Sequence, residues 1–238
     1  MVSPIYTSCN KGTSIGSGSN ALVFKGKGVA NGVASSEDIA IKEVRNDGGQ
    51  DMENEVAALR KLHENPEGST YIVKYYGRNS SMPKQIYLEL IEGKTLEWAL
   101  SERYLRNDDD FKLRKSILLQ LAKAIEYMAT QNVSNIDFNK QNIMLQSGIL
   151  SRIDTSDIMS TFTPPAKADL DLTIKVKLID FGKASISERQ GILPLITLFY
   201  EMFQRDELST MVQGNIKNFK DACEKRTLTV TEAKTWLV

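Results

Sequence analysis

Three side chains in the second half of the chain are suited to chemistry on phosphate. Asp137 and Asn142 stand five positions apart in Asp137-Phe138-Asn139-Lys140-Gln141-Asn142. Asp180 opens an Asp180-Phe181-Gly182 turn after the strand-like run Val176-Lys177-Leu178-Ile179. A carboxylate can face an acceptor hydroxyl while an amide and a second carboxylate hold metal ions against phosphates, and phosphoryl transfer from a nucleotide needs that combination. Each fragment alone is weak, because Asp, Asn and Gly also shape ordinary turns. Their order along the chain makes the case. Asp137 reads as the base, or as the group that orients the acceptor, and Asn142 and Asp180 read as ligands for magnesium. That ion takes oxygen ligands and shares its coordination with substrate phosphates and water, so two protein ligands are sufficient.

Upstream residues supply the complementary parts. Gly16-Ser17-Gly18 follows Ile15 and lets the backbone approach phosphates closely, since glycine has no Cβ to clash. A lone Gly-x-Gly is more often a plain turn. Its value rises because Val23 and an Ala40-Ile41-Lys42 strand follow. A lysine in an apolar strand either snorkels to water or neutralises a buried anion. The second reading needs a carboxylate, and the following helix offers Glu55, with Glu53 as the competitor. Glu55 is preferred because Leu59 then falls on the same helix face, towards the core. A Lys42–Glu55 pair would hold the ammonium for the α- and β-phosphates.

The elements that must position these groups follow from periodicity. Residues 11–45 read as three short strands, including 21–25 and 39–44, with a turn at 15–19 and a small-residue loop at 31–36. A helix is expected over 51–62, with further strands at 72–76 and 85–90 and a hinge at Gly93. Beyond it the chain turns helical, at 96–104 and then at 111–131. Leu118, Leu121, Ala122, Ile125 and Met128 form the apolar stripe of the second helix, and Asp109 or Asp110 is its expected cap. Residues 146–173, with Pro164-Pro165, read as an insertion between two strands. The expected class is α+β: one domain over 1–238, with a strand-rich N-lobe over 10–92 and a helical C-lobe over 94–238.

Bulk composition narrows the classes. The 238 residues include 30 Lys and Arg against 30 Asp and Glu, and this balance argues against a general binder of nucleic acid or anionic membrane. Cys9 and Cys223 make neither a disulfide framework nor a metal site, and His63 alone excludes a multi-histidine centre. No apolar run reaches the roughly 18–20 residues of a membrane span. The polar residues 1–14 lack the apolar core of a signal peptide.

At this point the chain resembles the protein-kinase superfamily over nearly its whole length. The glycine loop resembles Gly16 to Val23, the Val-Ala-Ile-Lys strand resembles Ile39 to Lys42, and a further strand resembles Ile72-Val73-Lys74-Tyr75-Tyr76-Gly77. The hinge resembles Glu89-Leu90-Ile91, which puts Leu88 at the gatekeeper position. The catalytic loop resembles residues 135–142, the metal motif Asp180 to Gly182, and the closing helix residues 225–237. By that resemblance ATP and Mg2+ are the cofactors, and Val23, Ala40 and Met144 would sandwich the adenine. The implied nucleotide-binding set is Ile15, Gly16, Ser17, Gly18, Val23, Ala40, Lys42, Glu55, Leu88, Glu89, Ile91 and Met144. The implied catalytic set is Asp137, Lys42 and Lys140, with Asn142 and Asp180 on the metal.

The departures from the family pattern concern activity. Ala21 replaces the third loop glycine, and Asn135-Ile136 replaces the His-Arg before the catalytic aspartate. Asn139 stands where a lysine contacts the transferred phosphate, with Lys140 one place late. Only Lys183 to Gln190 separate Gly182 from an expected helix at 191–203, so the activation segment and its Ala-Pro-Glu are absent. Gly191 stands where the family starts that helix with an aspartate. The five nucleotide and metal positions survive, which favours a minimal serine/threonine protein kinase. The alternatives are a pseudokinase that docks a partner with or without nucleotide, and a kinase for a small molecule. The implied partners are ATP and a protein substrate or docking protein. The implied location is the cytosol, with the nucleus, or the host cytosol for a pathogen-delivered kinase, as the other possibilities.

Overall fold

A computed structural model describes residues 5–18, 20–45, 49–65, 68–81, 84–102, 105, 111–135, 137–147, 174–186, 191 and 193–203. The expected cap at Asp109 or Asp110, nearly all of the 146–173 insertion, Cys223 and the closing helix lie outside these residues. In chain order the elements are β1 (Ser8–Ser17), β2 (Ala21–Ala30), β3 (Val33–Ala34), β4 (Ile39–Val44), α1 (Gly49–Leu62), α2 (Gly68–Tyr71), β5 (Tyr75–Asn79) and β6 (Gln85–Glu89). They continue with β7 (Gly93–Thr95), α3 (Leu96–Ser101), α4 (Phe111–Thr130), β8 (Ser134–Asn135), a 3-10 turn (Lys140–Asn142), β9 (Ile143–Gln146), β10 (Lys175–Leu178), β11 (Ala184–Ser185) and α5 (Leu193–Phe203). The chain forms two compact units. The first comprises Met1–Ile91, Asn135–Asp137 and Asp180–Ser187; the second comprises Glu92–Ser134, Phe138–Ile179 and Glu188–Val238.

The first unit is an antiparallel sheet in the order β1-β2-β4-β6-β5, with β3 paired to β2. Strand alternation sends Ile39 and Ile41 to one face of β4 and Ala40 and Lys42 to the other. On the first face Ile39, Ile41, Tyr87 and Tyr6 form a buried cluster, with Phe24 and Tyr76 packed against it. Helix α1 buries Met52, Glu55, Val56, Leu59 and Leu62, a stripe at helical spacing. The one charged member of that stripe is Glu55, and a buried carboxylate is costly unless paired.

The N-terminal segment closes this sheet. Tyr6 bridges Gly77, and its amide donates to the Tyr76 carbonyl at 2.7 Å. Gly77 has φ 139°, and a Cβ there would run into the Tyr6 backbone. Gly77→Ala is therefore expected to cost about 2–3 kcal/mol through strain and loss of this seat. Urea unfolding would read the loss, and rapid proteolysis near residue 6 would report the freed segment. An unchanged midpoint would contradict the account.

In the second unit, β7 and β10 flank β9 in an antiparallel sheet. The stripe Leu118, Leu121, Ala122, Ile125 and Met128 of α4 is buried, and α5 buries Leu195, Leu198, Phe199, Met202 and Phe203. Arg114 is buried on α4. Its Nη1 donates to the Met202 carbonyl at 2.9 Å, and its guanidinium lies over the Phe203 ring. The Gln120 amide pins the start of β10, donating to the Ile174 carbonyl at 3.1 Å and accepting from the Val176 amide at 3.0 Å.

Several expected boundaries move. Residues 31–36 are a hairpin: Asn31 (φ 52°) and Gly32 (φ 78°) turn the chain into β3, so 11–45 holds four strands with β1 starting at Ser8. The strand expected at 72–76 begins only at Tyr75, and the buried Ile72 and Val73 follow the short helix α2. Gly93, the expected hinge, is the first residue of β7, and the boundary between the two units falls just before it, between Ile91 and Glu92. The close approach of Gly93 to the Leu145 carbonyl leaves no room for a Cβ. Helix α3 stops at Ser101, and Gln146 belongs to β9.

Candidate functional site

Strand β4 presents Lys42 on the face covered by α1, and its ammonium has two partners. Nζ donates to Glu55 Oε2 at 2.7 Å and to Asp180 Oδ1 at 2.9 Å. The side chains are 14% exposed for Lys42, 1% for Glu55 and 39% for Asp180. Glu53 points elsewhere and pairs with Arg78. Burial presses Lys42 towards the neutral amine, but the two carboxylates outweigh it and hold the ammonium above the ordinary lysine range. Burial pushes Glu55 up, against the pull of Lys42. Asp180 goes the other way: burial raises its carboxyl, and Lys42 more than offsets this, leaving it below the ordinary range.

The turn carrying Asp180 is held from several sides. Asp180 has φ 63°, a left-handed conformation uncommon outside glycine that Asp and Asn adopt more readily than other residues. The Gly182 amide donates to Asp180 Oδ1 at 3.2 Å, the Phe181 amide to Glu55 Oε1 at 3.4 Å, and Asn54 Nδ2 to the Gly182 carbonyl at 3.4 Å. Asn135 supplies a further tie. Its Nδ2 donates to the Asp180 carbonyl at 2.9 Å, and its Oδ1 accepts from the Asp137 amide at 3.0 Å. One buried carboxamide thus fixes the spacing of the two acids. Asn135→Leu is expected to leave the Asp180 carbonyl and the Asp137 amide short of partners and to cost about 2 kcal/mol. Chemical denaturation checks that figure. The positioning role predicts, in addition, a fall in any turnover with nucleotide affinity retained; equal loss of both would point to a merely structural role.

These groups meet at a cavity of about 180 Å³. Gly18, Asn20, Ala21 and Val23 contribute from the β1–β2 turn, Lys42 and Val44 from β4, and Asp51, Met52 and Glu55 from α1. Asp137, Asp180, Gly182 and Lys183 complete the lining. The turn is pinned over the cavity, since the Gly18 amide donates to the Ala21 carbonyl at 2.9 Å and Asn20 Nδ2 to Asp51 Oδ2 at 3.0 Å. Four carboxylates face two lysines there. That oxygen-rich excess of negative charge fits a magnesium ion entering with phosphates. Among the described residues no group of three or more His, Cys, Asp or Glu could hold a metal. Phosphate oxygens and water would therefore have to complete the coordination.

The remaining expected site residues are not among the groups that line this cavity. Ile15, Gly16, Ser17, Ala40, Leu88, Glu89 and Ile91 belong to the first unit without lining the cavity. Ala40 sits opposite Leu88 in the sheet, and Glu89 Oε2 accepts from the Lys74 amide at 3.1 Å. Lys140, Asn142 and Met144 belong to the second unit. There Asn139 caps the 3-10 turn, accepting from the Gln141 and Asn142 amides. Lys140 Nζ lies 3.3 Å from Glu201, and the Asn142 carbonyl accepts from the amide of Ile179, the residue before Asp180, at 2.9 Å. Met144 pairs with Lys177 and Thr95 across the small sheet.

Two contributors are absent from the expected set. Asn135 enters it only as the replacement of a histidine, although an Asn two residues before Asp137 is a familiar side-chain-to-backbone turn signal. Lys183 is the other, and its Nζ stands 3.6 Å from Asp137 Oδ2.

An antiparallel sheet with one long helix, followed by a more helical unit, is the α+β arrangement of a two-lobed kinase-like protein. The model of the protein kinase domain matches residues 9–202, and the chain belongs to the protein kinase family. A comparison with curated proteins gave no significant match. That fold carries a nucleotide-binding site in general, and among the described residues no helix is long and apolar enough to cross a membrane.

Proposed function

We propose that the chain is an ATP- and magnesium-dependent phosphotransferase that acts on serine or threonine hydroxyls of a protein substrate in the cytosol. The observation that carries the reading is Lys42, held at hydrogen-bond distance by both Glu55 and Asp180 in a cavity that Asp137 also lines. In this reading Lys42 binds the α- and β-phosphates, and Gly16, Ser17 and Gly18 let the backbone approach them. Ile15, Val23, Ala40, Leu88, Glu89, Ile91 and Met144 receive the nucleoside. Asp180 and Asn142 would hold magnesium, which neutralises charge on the phosphate oxygens. Asp137 orients the acceptor hydroxyl and takes its proton.

A second reading, a nucleotide-binding scaffold without efficient transfer, draws support from Lys140, which lies against Glu201 in the second unit. One experiment separates the two. The melting temperature is measured with ATP, with and without magnesium, and labelled ATP is then offered to a panel of proteins and hydroxyl-bearing metabolites. A magnesium-dependent rise with label on protein supports the kinase. A rise without label supports the scaffold, and label on a metabolite moves the acceptor to a small molecule. No response to nucleotide would sink both readings.

A further inference from the structure

Among the described residues that line the cavity, one cation has no assigned task. Lys42 is committed to two carboxylates, and Lys140 pairs with Glu201 in the second unit. The other ammonium that lines the cavity belongs to Lys183, directly after Gly182. Its side chain is 56% exposed, and its contact with Asp137 Oδ2 is long, at 3.6 Å. An ion pair of that length and exposure contributes little and is readily exchanged for another anion. A terminal phosphate presents several non-bridging oxygens whose charge must be met during transfer, and a preorganised cation beside them acts where it counts most.

We propose that Lys183 engages the terminal phosphate of bound ATP, leaving Asp137 to face the acceptor. The assignment rests on the phosphotransferase reading above. In the step it serves, the acceptor oxygen forms a bond to the γ-phosphorus. The bond from that phosphorus to the β–γ bridging oxygen breaks, and its electron pair departs on ADP. The acceptor proton passes to the Asp137 carboxylate and then to water. Lys183 meets the non-bridging oxygens throughout and stays with the phosphate on the product. The rigid turn at Asp180 sets where the Lys183 stem begins, so the lysine is aimed by the same backbone that holds the proposed metal ligand.

The test is calorimetric titration of the full chain with MgATP and MgADP, for the native protein, Lys183→Met and Lys183→Arg. Lys183→Met is expected to lose about tenfold in ATP affinity, the effect of one charged hydrogen bond, with ADP affinity unchanged. Lys183→Arg should keep most of the preference for ATP. In labelled transfer the Met variant should lose about 10²-fold in kcat. Equal affinity of Lys183→Met and the native protein for ATP would overturn the assignment, as would parallel loss of ATP and ADP affinity. If the native protein binds neither nucleotide, the phosphotransferase reading fails and Lys183 falls with it. If the native protein transfers phosphate and both variants match it, only the role of Lys183 is lost.

Discussion

Asp180→Ala should lower phosphate transfer by about 10³-fold or more, since a metal ligand and its electrostatic contribution disappear together. The residue has three ties: its carboxylate accepts from Lys42 and from the Gly182 amide, and its carbonyl accepts from Asn135. The carbonyl bond survives the substitution. The carboxylate is 39% exposed, but Ala tolerates φ 63° less well than Asp and loses the bond from the Gly182 amide, so the substitution should cost about 1–2 kcal/mol, small beside the loss of activity. Activity and folding therefore separate. The expected pattern is a melting temperature lowered by only a few degrees, no magnesium-dependent stabilisation by ATP, and no label transfer. The native group is held below the ordinary carboxylate range, so its stabilising contribution is complete above that range and fades only as pH falls below it. Asp180 itself should then add no pH dependence to magnesium-dependent binding from neutral to mildly acid solution. Label transfer by Asp180→Ala at the native rate would refute the mechanism.

Lys42→Met should, by contrast, bring a large loss of stability as well. It leaves Glu55, 1% exposed, without its cation, and breaking a buried pair in this way costs about 3–5 kcal/mol. The cost should depend on pH. Burial already raises the Glu55 carboxyl, and a raised carboxyl adds stability below its unfolded value that is lost as pH rises through its folded value. Without Lys42 the folded value climbs further, so the deficit relative to the native protein should widen from pH 5 to pH 8. Urea unfolding at both values measures this. Lys42→Met combined with Glu55→Leu should recover most of the loss, because an apolar pair of similar size satisfies the same space. Equal stability of the single and double variants would show that pairing is not what Glu55 requires.

The legible and illegible parts of the chain differ in whether local pattern or distant contact decides them. Helix α1 and its buried stripe follow from spacing, and the preference for Glu55 over Glu53 came from the face shared with Leu59; the structure has Glu55 at Lys42 and Glu53 at Arg78. The α4 stripe follows in the same way. Ile72 and Val73 misled because β-branched residues prefer any half-buried packed surface, whether or not a ladder continues through them. The Asn31-Gly32 hairpin was readable, since that pair supplies two residues of positive φ, yet the surrounding small residues masked it as a loop. Lys183 was not readable. A lysine after glycine is ordinarily a solvated one, and its place depends on Asp180 adopting φ 63° under constraints from α1 and Asn135.

The tie through Asn135 has a consequence for the conditions in which the protein works. A histidine in that place would change charge between about pH 5 and 8, and its bonds would change with it. A carboxamide has no proton to gain or lose across that span, so it keeps donating to Asp180 and accepting from Asp137. The spacing of the two acids is thereby insulated from acidification of the surroundings, and any sensitivity to acid must enter through other groups.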